Sequence, residues 1–167
     1  MRILFVIGQF YPVIGGAESQ ALKLANALML KGIDITILTI HRPGLKTYEV
    51  YNGLKIIRIS QYTRGPIKYQ FSALSLFFYI VLNGNKFTCL HVHGFSYLAF
   101  CTIAASRLIR VPTIAKLTNS GSRCDIDRFC SNKFIPNCLK LWAIRCCTRY
   151  IAITPLIAEE LMHRGIK

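Results

Sequence analysis

Two adjacent glycines, Gly15 and Gly16, stand between an apolar run and a helix-like pattern near the start of the chain. Glycine lets a ligand approach the main chain closely, and a helix that begins just after it presents free N–H groups and a partial positive charge. This arrangement favours binding of a phosphate group, although a tight turn between a strand and a helix has the same pattern. Glu18, in the first turn of that helix, either orients the loop or is only a charge that the helix dipole favours.

Two histidines share one face of a later strand. His91 and His93 are two residues apart, and side chains at that spacing point to the same side of a sheet. No carboxylate or cysteine pattern completes a metal site around them. His93 is nearer the end of its strand, where its ring is suited to hydrogen-bond a ligand hydroxyl or phosphate group. The alternative for His93 is a buried structural role, which is the role that we expect for His91.

Three polar residues, Thr118, Asn119 and Ser120, follow another apolar run. Their neutral donors and acceptors suit a ligand rich in hydroxyl groups, and an ordinary loop would have the same composition. Arg123 is a further candidate for a phosphate contact. Together with the glycines and His93, these residues are the candidate binding residues of the chain.

Strand-like and helix-like patterns alternate between these groups. The apolar run Ile3 to Ile7 predicts a strand covered on both faces, and the spacing from Ala17 predicts a helix that ends at Gly32. Asn52-Gly53 between two β-like runs predicts a hairpin. The remaining patterns predict strands over residues 33–40, 88–93, 112–117 and 149–153, and helices over residues 69–82, 97–109, 138–147 and 155–165.

This alternation predicts an α/β fold, with a Rossmann-like parallel sheet flanked by helices. In such sheets ligands bind beyond the carboxyl ends of the strands. We therefore expect Gly15 and Gly16, His93, and residues 118–120 to lie along one edge of the sheet. The chain has 167 residues, enough for one domain with a substantial core, so residues 1–167 are assigned to a single domain.

The formal net charge of +14 favours anionic partners, while zinc-finger spacing, an aromatic RNP signature and a basic zipper are all missing. We therefore expect an anionic membrane surface or an anionic substrate, and no nucleic acid. The apolar segment Phe71 to Val81, including Leu74, Phe77 and Phe78, is predicted to be a core helix, with a membrane-lying face as the alternative. Trp142 is also assigned to the core. Because no apolar run reaches the ~20 residues of a membrane span and no signal-peptide pattern opens the chain, we expect a cytoplasmic protein.

Seven cysteines are present, and none forms a C-x-x-C pair. An odd number without a secretory signal predicts free thiols. The spacing of Cys124, Cys130 and Cys138 fits no known zinc-ligand pattern, so we expect no metal site.

In this order and spacing, the motifs resemble the N-terminal half of GT-B glycosyltransferases of the large retaining family 4. Residues 1–6, Tyr11-Pro12 and the segment Gly15 to Glu18 are similar to the opening of that family. Leu90 to Gly94 is similar to its strand-end histidine motif, and residues 151–161 are similar to the end of the half.

The resemblance implies a sugar transferase built from two Rossmann-like halves. The nucleotide-sugar donor lies mostly on the C-terminal half, while the N-terminal half holds the acceptor, a glycan or a lipid-linked molecule. The glycine loop then contacts the donor phosphate across the cleft. The resemblance implies no metal and no cofactor other than the donor substrate, and it implies peripheral docking of many members on anionic membranes, here at the inner membrane face.

The chain departs from the family pattern in two ways. The sequence stops at Lys167 without the C-terminal donor-binding domain, so we predict no independent turnover. Thr118 and Asn119 also stand where many members carry a histidine, although Lys116-Leu117-Thr118 resembles the pattern of a related subset. This departure argues against a catalytic histidine at that position. No catalytic residue is assigned with certainty, and His93 is the candidate.

Two alternatives remain beside a transferase. One is a non-enzymatic module that binds anionic membranes or phosphoglycans. The other is an unrelated Rossmann-type nucleotide enzyme, against which the absence of the G-x-G-x-x-G and Walker A patterns argues.

Overall fold

A computed structural model describes residues 1–13, 15–61, 66–119, 124–131 and 135–166. Ser120 and Arg123, both named above as candidate binding residues, lie outside this described part.

The strands are β1 (Arg2–Val6), β2 (Asp34–His41), β3 (Tyr48–Tyr51), β4 (Leu54–Gln61), β5 (Cys89–His93), β6 (Thr113–Leu117) and β7 (Arg149–Ala152). The helices are α1 (Gly16–Leu30), α2 (Pro66–Asn83), α3 (Tyr97–Ile109), α4 (Asp125–Cys130), α5 (Asn137–Cys146) and α6 (Pro155–His163), and a 3-10 turn, Gly84–Lys86, follows α2.

The strands form one seven-stranded sheet in the order β3-β4-β2-β1-β5-β6-β7. All neighbouring pairs are parallel except β3 and β4, which form the predicted hairpin. Its turn residues Asn52 and Gly53 have φ values of +49° and +80°, as a two-residue hairpin turn of this sequence requires. The predicted α/β fold with a Rossmann-like sheet is confirmed.

Two hydrophobic layers cover the two faces of the sheet, because successive side chains of a strand point in opposite directions. From β1, Phe5 packs in a buried cluster with α1, whereas Leu4 and Val6 pack in a larger cluster with the helices of the opposite face. This larger cluster includes Leu76 of α2 and Ile103 of α3.

Helix α2 packs in the core as predicted, through Leu76 and Ile80, but Phe71, Leu74 and Phe78 do not lie in that core. Its buried side chains include small residues such as Ser72 and Ala73, which let the helix pack closely. Because the helix is apolar on nearly every side, its sequence pattern does not show which face is buried. Several large side chains are consequently exposed, namely Phe71 (64%), Leu74 (47%), Phe78 (55%) and Leu82 (78%).

Trp142 of α5 was also predicted to lie in the core, and it is exposed over 39% of its surface. Its ring packs edge-on against Phe100 of α3 at a centroid distance of 6.5 Å. In the described part of the chain, no helix has both the length and the apolar character to cross a membrane.

Candidate functional site

The candidate binding residues of the described chain lie at one edge of the sheet. Strands β1, β5 and β6 are adjacent and parallel, so their carboxyl ends meet at the same side. His93 ends β5, and Thr118 and Asn119 follow β6. Gly15 directly precedes α1, and Gly16 is the first residue of that helix. This gathering is what the rule for parallel sheets predicts.

His93 lies between two cavities. The first, here called the α1 cavity, has a volume of about 290 Å³ and is lined by Ile7, Gly8, Gln9, Ala17, Glu18, Ile40, Arg42 and His93. The second, here called the α3 cavity, has a volume of about 430 Å³ and is lined by Gly8, His93, Gly94, Phe95, Ser96, Tyr97, Leu98, Thr118, Asn119, Asp125, Arg128 and Phe129. His93, Thr118 and Asn119 therefore share a cavity, while Gly15 and Gly16 directly precede the α1 residues of the other.

The two histidines form a buried stack with a phenylalanine. The rings of His91 and His93 are stacked with their centroids 4.5 Å apart, and Phe5 lies 4.9 and 5.0 Å from them. Burial, with the nearby Lys116 charge, lowers the pKa of His91 to about 4. Burial, His91 and Lys116 lower the pKa of His93 to about 3. Both rings are therefore neutral near pH 7, and each has one N–H donor and one acceptor nitrogen.

Lys116 is a buried cation beside this pair, in register with His93 across the β5–β6 ladder. Its Nζ donates a hydrogen bond to Gln20 Oε1 of α1 at 2.8 Å. Burial lowers the pKa of the Lys116 amine. Its partner is a neutral amide, so its charge adds to the positive character of this edge.

The start of α1 is shaped by Glu18. The carboxylate of Glu18 accepts a hydrogen bond from the Gly15 N–H at 2.9 Å, so Glu18 orients the glycine loop. A side chain at Gly15 would place its Cβ only 2.5 Å from Glu18 Oε2, whereas a Cβ at Gly16 would point into open space. A side chain at Gly15 would therefore displace the Glu18 carboxylate, whereas Gly16 leaves the main chain open to a ligand.

Arg58 of β4 fixes the loop that leads to these glycines. Its buried guanidinium donates to Tyr11 O at 2.7 Å, to Lys46 O at 2.9 Å and to Glu49 Oε2 at 2.9 Å. The Tyr11 ring is also stacked on Tyr51 of β3, with centroids 4.0 Å apart. The β1–α1 loop is therefore held against the hairpin by a charged network and an aromatic contact.

Asp125 fixes the turn after β6. Its carboxylate accepts hydrogen bonds from Thr118 N at 2.7 Å, Thr118 Oγ1 at 3.2 Å and Asn119 Nδ2 at 2.7 Å. The polar groups of Thr118 and Asn119 that the sequence assigned to a ligand thus also bind α4.

A further cavity, of about 610 Å³, opens at the amino end of β7, and its lining includes Tyr150, Arg145 and Arg149. It is also lined by Ile126 and Cys130 of α4, but not by His93, Thr118 or Asn119. Because ligands of parallel sheets bind beyond the carboxyl ends, the candidate site is the pair of cavities around His93.

Several residues of the site were not identified from the sequence. In the sequence, Lys116 stands out only as part of a motif, and no pattern indicates a role for Asp125, Arg128 or Arg58. The polar residues directly after β6 and the first residues of α4 could have indicated Asp125. A single arginine in a β-strand, such as Arg58, gives no comparable signal.

Residues 14–167 match the family model described as Glycosyltransferase Family 4. A GDP-mannose:cellobiosyl-diphosphopolyprenol alpha-mannosyltransferase of Komagataeibacter xylinus is 30% identical over 103 residues, which cover 58% of this chain and 24% of that protein. An uncharacterized 42.6 kDa protein in the cps region of Klebsiella pneumoniae is 40% identical over 58 residues, which cover 34% of this chain and 16% of that protein. The chain thus spans a quarter or less of these relatives.

Solved structures with the same fold cover nearly the whole chain. The UDP-GlcNAc 2-epimerase of Methanocaldococcus jannaschii superimposes with a TM-score of 0.64 at 11% identity, over 100% of this chain and 43% of that chain. A UGT of Arabidopsis thaliana complexed with UDP gives a TM-score of 0.60 at 12% identity, over 100% of this chain and 50% of that chain. At these identities the likeness concerns the fold, a Rossmann-like half of the GT-B type.

Proposed function

The chain belongs to Glycosyltransferase Family 4, and from this premise we propose that it forms the acceptor-side half of a retaining glycosyltransferase. The reaction moves a sugar from a nucleotide-sugar donor to a glycan or lipid-linked acceptor. The observation that carries the proposal is the position of His93, a neutral buried histidine between two cavities at the carboxyl edge of the sheet. A group in that place touches ligands bound on either side of it.

The donor phosphate is assigned to the start of α1. The first N–H groups of a helix have no partner within the helix, and the open main chain at Gly16 lets an anion approach them. Arg42 lines the same cavity and adds positive charge. The relatives support a nucleotide-sugar donor, since one is named for GDP-mannose and one related fold was solved with UDP.

The acceptor is assigned to the α3 cavity and His93. A neutral imidazole can accept a hydrogen bond from a sugar hydroxyl and donate one to a phosphate oxygen. Transfer requires the donor and acceptor to be held together while negative charge develops on the leaving phosphate. We propose that a second, donor-binding domain supplies the other side of this cleft, so that the 167-residue chain binds ligands but does not turn over.

A binding and transfer experiment tests this function. The isotope-labelled chain is titrated with UDP and GDP, and saturable shifts are expected at the amides of Gly16 and Ala17. A radiolabelled nucleotide sugar with a lipid-linked acceptor is expected to give no labelled product with this chain alone. Absence of nucleotide binding at α1, or sugar transfer by the isolated chain, contradicts the respective part of the proposal.

A second candidate function, binding to an anionic membrane surface, is favoured by the outer face of α2. The exposed residues Phe71, Leu74, Phe78 and Leu82 recur at helical spacing and form one apolar stripe. No acidic residue occurs between Glu49 and Asp125 in the sequence. Lys86 follows the end of α2, and Arg110 follows Ile109, whose side chain lies against Gly84. An apolar helix face with basic flanks is suited to the headgroup region of an anionic bilayer.

Vesicle flotation tests this second function. Binding to vesicles that contain phosphatidylglycerol is expected, with little binding to pure phosphatidylcholine and less binding at high salt. Phe78→Ser should weaken binding, while Leu30→Ser should not, because Leu30 is 90% exposed on α1 at the opposite face of the sheet. Equal effects of the two substitutions would assign the binding to net charge and refute a role for the stripe.

A further inference from the structure

The α3 cavity has features that the proposed sugar acceptor alone does not require. It contains the first turn of α3, the ring of His93 and the guanidinium of Arg128. These three groups come from separate elements and line one volume. They are all suited to donate hydrogen bonds to an anion.

The first donors are main-chain N–H groups. Helix α3 runs over Tyr97–Ile109, so its positive dipole end lies at the cavity. Ser96 caps the helix, and its Oγ accepts a hydrogen bond from Leu98 N at 3.3 Å. The other N–H groups of the first turn have no partner within the helix.

The second observation is His93 itself, which is independent of the helix. The residue is only 9% exposed, and within the described part of the chain neither of its ring nitrogens has a hydrogen-bond partner. Buried polar groups nearly always have a partner, so a group such as this one indicates a ligand in the cavity that it lines. The neutral ring has one N–H to donate.

Two charged side chains line the cavity, the cation Arg128 and the anion Asp125. Arg128 is exposed on α4, and the described ion pairs do not include it. Asp125 is the acidic residue of the lining, and its carboxylate oxygens already accept three hydrogen bonds from Thr118 and Asn119. The cavity is therefore left with a net capacity to bind negative charge.

We propose that the α3 cavity is a second phosphate subsite, separate from the start of α1, which binds a phosphate ester or a diphosphate. The oxygens accept hydrogen bonds from the first turn of α3, from Arg128 and from the His93 N–H. Donors that converge from three directions match a tetrahedral oxyanion, and a guanidinium binds two of its oxygens at once. In the context of the proposed function, the subsite makes the acceptor a phosphorylated molecule.

Inorganic pyrophosphate is the first probe. The isotope-labelled 167-residue chain is titrated at about 150 mM salt, where diffuse attraction to a basic protein is screened. Saturable shifts are expected at the Ser96, Tyr97 and Leu98 amides. Arg128→Gln should weaken this binding about tenfold, the value of one charge-assisted contact, and should leave the rest of the spectrum unchanged.

Arg107→Gln is the matched control, because Arg107 is an exposed arginine in the last turn of the same helix. It removes the same charge from the chain and should leave pyrophosphate affinity within about twofold of the original. Equal losses in the two variants, or no saturable shifts at the start of α3, would overturn the subsite. Pyrophosphate-induced shifts spread over many basic residues would indicate non-specific binding and would overturn the subsite as well.

The source of the phosphate is distinguished by two further probes, UDP and geranyl diphosphate. Geranyl diphosphate that shifts the α3 amides while UDP is bound at α1 indicates an acceptor phosphate. UDP that shifts both helix starts by itself indicates that the phosphate belongs to the donor. In both results the α3 amides respond to a phosphate group, so both support the subsite.

The subsite and the proposed function can fail separately. Pyrophosphate binding at α3 without any nucleotide binding at α1 supports the subsite and contradicts the proposed function. Nucleotide binding at α1, with no response of the α3 amides to pyrophosphate or geranyl diphosphate, supports the proposed function and contradicts the subsite.

Discussion

Replacing Arg58 with methionine should destabilise the protein and loosen the β1–α1 loop. Arg58→Met keeps most of the apolar stem but leaves Tyr11 O, Lys46 O and the Glu49 carboxylate without their donor. Breaking a buried ion pair from one side costs about 3–5 kcal/mol. The Arg58 side chain is 1% exposed and that of Glu49 is 23% exposed, so water can reach the carboxylate that remains. We therefore expect the lower end of this range, about 3 kcal/mol.

Urea unfolding measures this loss as a lower midpoint at an unchanged slope. Lys55→Met in the same strand is the control, because Lys55 pairs with Asp34 at 3.2 Å while their side chains are 47% and 39% exposed. Exposed pairs contribute less than about 1 kcal/mol. A loss below about 1 kcal/mol for Arg58→Met, or one equal to that of Lys55→Met, refutes the assigned role of the buried network.

The same variant links the network to the candidate site. Because Arg58 binds the carbonyl of Tyr11, amide exchange at Gly15 to Ala17 should accelerate more in Arg58→Met than in Lys55→Met. Unchanged exchange at these amides, together with the expected loss of stability, would show that Arg58 supports the fold but does not position the loop.

The remaining predictions concern the two buried histidines, two glycines and Glu18. In the folded protein the pKa of His91 is about 4 and that of His93 is about 3, whereas an unfolded histidine has a pKa of ~6.5. The stabilisation that comes from keeping the two rings neutral is therefore complete above pH ~6.5. It is lost as the pH falls towards the folded pKa values. Between about pH 7.5 and 5.5 the free energy of unfolding, measured by urea titration, should fall by about 1.4 kcal/mol per histidine. This fall should be smaller in the His91→Phe variant. Gly94→Ala should cost about 1–2 kcal/mol in the same assay because φ is +82° there, whereas Gly16→Ala, in open space, should not destabilise. Glu18→Gln should raise pyrophosphate affinity at the start of α1 severalfold, measured by the shifts of the Gly16 and Ala17 amides, and unchanged affinity would argue against an anion site there.

Local patterns were sufficient to predict most elements of the fold. Helix α3 begins and ends at the predicted residues, and the Asn52-Gly53 turn joins the predicted hairpin. Both depend on interactions among neighbouring residues. The exposed face of α2 could not be predicted in this way, because a helix with apolar residues on most sides is oriented only by what packs against it.

The location of the candidate site was predictable, and its internal contacts were not. The order of parallel strands brings the ends of β1, β5 and β6 to one edge whatever their side chains are. Lys116 meets Gln20 and Arg58 meets Tyr11 only after the sheet has formed, across 96 and 47 positions of sequence. Such pairs carry no periodic signal, so they appear only in the structure.

The carboxylate of Glu18 competes with anionic ligands for the N–H groups at the start of α1. It already accepts the Gly15 N–H, so a phosphate ion that arrives alone meets a like charge and one donor fewer. The nucleotide sugar of the proposed function would bring a base, a ribose and a hexose, and their contacts would offset that repulsion. Under that proposal, the hydrogen bond between Glu18 and Gly15 would disfavour free phosphate at a position where the larger substrate is held.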